Sequence, residues 1–97
     1  MCYVRDMKYF DWNNEKNEEL KAERGVSFEE VVFSIMSGGL LDTLAHPRPD
    51  KYPNQRVFIV HIEDYAYIVP FVETDDCIFL KTAIPSRKMT AKYLRRT

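Results

Sequence analysis

The amino-acid sequence predicts an α+β domain, and three observations carry that expectation. Two helix signals lie before residue 40, three strand-length apolar runs follow between residues 56 and 84, and only tight turns separate those runs. Short connections make strands antiparallel neighbours, so the runs read as a three-strand meander. At 97 residues, 45 % of them hydrophobic, the chain makes one domain with one modest core.

Taken in order, residues 1–8 read as a loose N-terminus. Tyr9-Phe10-Asp11-Trp12 alternates aromatic and polar, which suits a short strand. Asn13 or Asn14 caps a helix that carries Glu15, Glu18 and Glu19 toward its positive end and stops at Gly25. Leu20 and Ala22 are its only apolar residues, so it is expected on the surface. Ser27-Phe28-Glu29-Glu30 is a capping box, with Val26 and Val31 placed as a hydrophobic staple. Phe28, Val31, Val32, Ile35 and Met36 recur at helical spacing and are expected to be buried. Leu40, Leu41 and Leu44 form a strand or turn, and the prolines at 47, 49 and 53 make a loop.

The meander follows. Arg56–Ile62 is apolar on both faces and reads as central. Tyr65–Glu73 is next, with Pro70 marking an edge or a bulge, and Cys77–Ile84 is third. In that third strand Ile78, Leu80, Thr82 and Ile84 are expected under the helices, and Lys81 on the opposite, helix-free face. A short helix over 90–95 closes the chain. The expected architecture is a small antiparallel sheet, the meander plus an N-terminal strand, with two helices on one face and a short C-terminal helix.

Charge is unevenly distributed. Residues 1–76 hold all 15 acidic side chains against 8 basic ones, whereas residues 77–97 hold Lys81, Arg87, Lys88, Lys92, Arg95 and Arg96 and no acid. Such asymmetry points to a polyanionic partner, nucleic acid above all, or to a solvated basic tail. No apolar run is long enough to span a bilayer, and the start lacks the pattern of a secretory signal. Two cysteines make neither a disulfide framework nor a zinc cluster, consistent with reduced thiols in a cytoplasm. His46 and His61 have no ligand-spaced neighbours, and no phosphate loop or serine elbow is present, so no metal or cofactor is expected.

The remaining candidates are cations beside a sheet: Arg56, Lys81 and Arg87, within reach of one cleft if their side chains converge. Arginine stabilises the charge that develops on a phosphorane, and lysine, histidine or tyrosine can move the proton. The ribose 2′-hydroxyl is itself the nucleophile, so RNA cleavage by such groups needs no metal. Lys88, Lys92 and His46 are candidates for holding RNA. Tyr93 stacks on a base or packs in the core.

Phe10-Asp11-Trp12, Lys16, Gly25-Val26-Ser27-Phe28-Glu29-Glu30 and the ending Ile84-Pro85-Ser86-Arg87-Lys88-Met89-Thr90 together resemble the BrnT family, small bacterial toxins of type II toxin–antitoxin pairs. The resemblance runs from Tyr9 to Leu94. It implies a RelE-like ribonuclease fold, a metal-independent ribonuclease that cleaves mRNA on or off the ribosome, and a cognate antitoxin protein as partner. Arg87 and Lys88 match the family's terminal Arg-Lys, and Arg56 its basic residue before the meander. The chain departs from the family pattern at Asn13, Leu20, Arg24, Thr82 and Tyr93. The other reading is a binding protein, or a silent toxin, whose basic cleft holds an acidic protein segment or RNA without cutting it.

Overall fold

The computed structural model describes residues 4–5, 8–45, 50–51 and 55–94. Its elements in chain order are β1 (Val4–Arg5), β2 (Lys8–Trp12), α1 (Asn14–Arg24), α2 (Phe28–Met36), β3 (Leu40–Ala45), β4 (Gln55–Ile62), β5 (Tyr65–Glu73), β6 (Cys77–Leu80), β7 (Ile84–Pro85) and α3 (Arg87–Tyr93). This is an α+β fold. The strands form one open sheet in the order β1-β2-β6-β5-β4-β3, with β7 pairing β5 beside β6.

The sheet is mixed rather than wholly antiparallel. β4–β5 and β5–β6 are antiparallel, but β2 runs parallel to β6, with Phe10 opposite Ile78 and Trp12 opposite Leu80. Burial explains the pairing, since Phe10, Trp12, Ile78 and Leu80 all enter one apolar cluster. Within the stretch expected to be loose, Val4–Arg5 pairs with β2.

Both N-terminal helices begin and end on local chemistry. The Asn13 side chain accepts from the Lys16 N–H at 3.0 Å, and Gly25 closes α1 at φ 66°. Ser27 Oγ accepts from the Glu30 N–H at 3.1 Å, while Glu30 Oε1 accepts from the Ser27 N–H at 3.2 Å, a complete capping box. Although α1 is mostly polar, it is anchored: Leu20 is fully buried, and so is Asn17. Asn17 Oδ1 accepts from the Phe28 N–H and its Nδ2 donates to Glu29 Oε1, both at 2.8 Å. One amide therefore ties α1 to the start of α2, where the Phe28 N–H has no partner within its own helix.

The main core lies between α1–α2 and one sheet face. Phe28, Val31, Val32 and Ile35 meet Phe10, Trp12, Phe58, Val60, Val69 and Phe71. Trp12 stacks on Phe28 at 5.7 Å between ring centroids, and Phe58 on Phe71 at 3.9 Å. Met36, expected in this core, is 54 % exposed. At 3.6 residues per turn it stands about 90° from the middle of the buried stripe, at its rim.

The expected third strand breaks. β6 stops at Leu80, and the chain pairs with β5 again only at Ile84, opposite Ile68. Between Leu80 and Ile84 it spends one residue more than β5 does between Phe71 and Ile68, which is a bulge. The odd residue reverses the alternation, so Ala83 is fully buried while Ile84, expected in the core, is 41 % exposed. Pro70 sits opposite the break, where its missing N–H leaves no ladder bond unmade, and its carbonyl accepts from the Lys81 N–H at 2.8 Å.

The second sheet face is not helix-free. Met89, Tyr93 and Leu94 pack there on Val57, Ile59 and Ala66. The closing helix covers Arg87–Tyr93 rather than residues 90–95, because Ser86 caps it by accepting from the Met89 N–H at 3.2 Å.

Candidate functional site

The basic side chains expected to share a cleft lie on two faces. Arg56 belongs to the α1–α2 side: its guanidinium stands 5.4 Å from the ring centroid of buried Phe71 and pairs with Glu73. Register dictates this, since Arg56 shares strand parity with Phe58, whose ring is in the main core. Arg87, Lys88 and Lys92 belong to α3, on the other side. His46 falls outside the described residues.

The α3 side is built from β5 outward. The Ala66 carbonyl accepts from the Ser86 N–H at 3.0 Å, and the Ala66 N–H donates to Thr90 Oγ1 at 2.9 Å. Thr90 Oγ1 also donates to the Ser86 carbonyl at 2.7 Å. Thr90 is buried, so these bonds set the helix's distance and rotation on the sheet. With Met89, Thr90 and Tyr93 turned inward, Arg87, Lys88 and Lys92 are turned outward and exposed.

A groove of about 280 Å³ runs beside α3, lined by Leu44, Val57, Ile59, Ile68, Pro70 and Met89 among others. Lys81, exposed just past β6, holds the Pro70 carbonyl at this groove, and its Nζ stands 5.7 Å from the Phe79 ring centroid. The groove lining is thus apolar, and the nearby cations Arg87, Lys88 and Lys92 stand on the outer face of the adjoining helix. Such a site suits a ligand that presents apolar or aromatic surface together with negative charge.

Tyr93 caps one end of this side. Its hydroxyl donates to Asp42 Oδ2 at 2.7 Å, while the Lys92 ammonium lies 5.3 Å from its ring centroid. The Tyr93 bond, above all, holds the Asp42 carboxyl below its ordinary value, helped by the Thr43 N–H. The same bond pushes the Tyr93 hydroxyl up. Both groups are thereby moved away from neutrality, and the Tyr93 ring is committed to packing on the second core.

His61 is half-exposed on β4, its Nε2 3.8 Å from Asp64 Oδ1. Among the described residues no cluster of His, Cys, Asp and Glu has the arrangement of a metal site, and no helix is long and apolar enough to cross a membrane. Sequence reasoning did not single out Asp42, and it named Ser86 and Thr90 only as part of the family-like ending. The usable signal was Ser86 itself, a capping residue just before Arg87-Lys88. No family model matches the chain, and the searches of curated proteins and of solved structures return no match.

Proposed function

We propose that the chain is the toxin of a type II toxin–antitoxin pair and a metal-independent endoribonuclease that cleaves mRNA, held inactive by its cognate antitoxin. The observation that carries the reading is the outward strip Arg87, Lys88 and Lys92 on a helix pinned by Thr90, beside an apolar groove whose Pro70 carbonyl accepts from the Lys81 N–H. The motifs shared with the BrnT family support it. In the proposed reaction the ribose 2′-hydroxyl gives its proton to solvent and attacks the adjacent phosphorus, forming the 2′,3′-cyclic phosphate as the bond to the 5′-oxygen breaks. Arg87 stabilises the extra charge on the phosphorane, Lys81 gives its proton to the departing oxygen, and Lys88 and Lys92 hold the neighbouring phosphates. Arg56 is left out of this set because Glu73 already holds it on the other face.

A second reading is binding without cleavage, of RNA or of an acidic protein segment. The observation that favours it is the Tyr93–Asp42 bond, which keeps both groups on this side unsuited to proton transfer near neutral pH.

Expression of the chain alone in a bacterium, followed by growth and by the integrity of total mRNA, tests both. Growth arrest with mRNA loss that disappears in a folded Arg87→Ala variant supports the ribonuclease. No arrest from a folded protein, or arrest by folded Arg87→Ala equal to that of the parent, removes it and leaves the binding reading.

A further inference from the structure

The other side of the molecule carries a second groove, of about 440 Å³, between the C-terminal end of α2 and the β4–β5 turn. It is lined by Glu30, Phe33, Ser34, Ser37, the Gly38-Gly39 backbone, and the chain from His61 to Glu63. Phe33 is 74 % exposed, and Met36 of the same helix is 54 % exposed. Solvated surface rarely carries a phenylalanine this open beside a second large apolar side chain and a concavity.

The groove is pre-formed. Ser34 Oγ donates to the His61 carbonyl, the Gly39 N–H donates to the Ser34 carbonyl at 2.6 Å, and the His61 N–H donates to the Gly39 carbonyl at 2.8 Å. These bonds lock the end of α2 to the end of β4, so a ligand meets a set shape and its binding loses little to ordering.

Charge selects the occupant. Glu30 and Glu63 line the groove, Asp64 is fully exposed next to it, and the lining contains no Lys or Arg. The two glutamates act on one spot: after burial, their carboxylates are the largest influences that push the Tyr67 hydroxyl up, opposed more weakly by Arg24. An anionic membrane or a nucleic acid is repelled here. A second copy would bring the same carboxylates face to face across a two-fold interface.

We infer that this groove docks a basic amphipathic segment of a partner protein, with apolar side chains seated on Phe33 and Met36 and Lys or Arg side chains paired with Glu63, Asp64 and the outer oxygen of Glu30. The inference stands apart from the reading of the α3 side, because the two sites share no residue.

The test uses fluorescein-labelled 14-residue peptides and the intact chain. One peptide places leucines at helical i, i+3, i+4, i+7 spacing with lysines elsewhere. A second has the same composition with the spacing scrambled, and a third replaces lysine by glutamate. Anisotropy is expected to show the Leu/Lys helix binding at least tenfold tighter than either control, more weakly as salt rises. Amide shifts in NMR are expected at Phe33–Gly39 and His61–Asp64. Phe33→Ser with Met36→Ser, and separately Glu63→Lys, are expected to weaken binding about tenfold. All these side chains are exposed, so folding is retained, and unchanged amide spectra elsewhere verify it. Equal binding of the scrambled peptide, shifts confined to other surfaces, or unaltered affinity in both variants overturns the inference. Sedimentation that shows a dimer abolished by the Phe33/Met36 variant also overturns it, in favour of a second copy.

Discussion

The Ala66 N–H donates to Thr90 Oγ1 across 2.9 Å, in a setting where both residues are buried. A strand N–H is thereby satisfied by a helix side chain and not by another strand. That hydroxyl, with the Ser86–Ala66 backbone bond, fixes how α3 stands on the sheet.

Thr90→Val removes the acceptor, keeps the shape and strands a buried N–H, which costs about 1–3 kcal/mol. Thr90→Ser keeps the oxygen and is expected to cost less. Urea unfolding of the two variants measures the difference. Amide exchange in α3 is expected to quicken in Thr90→Val before exchange in the main core does, because the core lies on the other face.

The Tyr93–Asp42 bond gives α3 a pH range. Asp42 is held below its usual 3.8, so its contribution is present above that value and is lost as pH falls through the lower value of the folded state. Tyr93 is pushed above its usual 10.0, so its contribution is present below that value and is lost as pH rises through the higher folded one. Docking of α3 is therefore expected to be firmest between these limits. Tyr93→Phe is expected to flatten both flanks by lowering the central plateau toward them, read from urea midpoints between pH 3 and 11.

Asn17 makes a comparable prediction inside the main core. Asn17→Asp keeps an acceptor for the Phe28 N–H but sets a carboxylate against Glu29, whose own carboxyl the Asn17 bond holds below its usual 4.5. The variant is expected to lose about 1–3 kcal/mol at pH 7. Part of that loss is expected back as pH falls and one carboxyl takes up a proton. Asn17→Ala shows no such recovery. Thermal melts of both variants at pH 7 and pH 4.5 compare them.

What could be read from the sequence was local. Ser27 and Glu30 announce their own capping box, Gly25 its own stop, and Glu63-Asp64 their own turn, because each needs only neighbours in the chain. The parallel pairing of β2 with β6 was not legible, since it depends on where the chain returns some 65 residues later. The bulge after Leu80 was hidden as well. A single extra residue leaves the apolar run Cys77–Ile84 intact while turning Ile84 outward and Ala83 inward. At the candidate site, the acid-free end that supplies Arg87, Lys88 and Lys92 could be counted directly. That Arg56 faces away from them could not, because its side depends on strand register. Met36 misled, because a methionine at the stripe's rim is left open, and Asn17 gave no signal, because a polar side chain in a polar helix is buried there by its bonds to α2.

Gly39 is required by the floor of the acidic groove. A Cβ there would stand 2.0 Å from Ser34 Oγ, 2.9 Å from the Ser34 carbonyl and 3.2 Å from the His61 carbonyl. Gly39→Ala must displace backbone as well as a side chain, and is expected to cost about 1–3 kcal/mol. The same change at Gly38 meets no atom but forces a side chain into φ 95°. Urea midpoints of the two variants separate crowding from backbone strain. Ser34→Ala in the Gly39→Ala background is expected to recover only part of the loss, because the carbonyl contacts remain.

The β4–β5 turn sets stability against charge. Glu63 and Asp64 take φ of 51° and 64°, the pair of left-handed conformations in which a two-residue hairpin favours Asn-Gly. Side chains other than Gly, Asn and Asp are disfavoured there. The double variant Glu63→Asn, Asp64→Gly is therefore expected to raise stability by about 0.5–1 kcal/mol. It also deletes two carboxylates from the mouth of the groove. If those carboxylates serve docking, the stabilised protein binds the Leu/Lys peptide more weakly than the parent while its urea midpoint rises. A higher midpoint with unchanged peptide affinity leaves the turn as backbone geometry alone and removes the charge argument for the groove's occupant. An unchanged midpoint removes the strain assigned to Glu63.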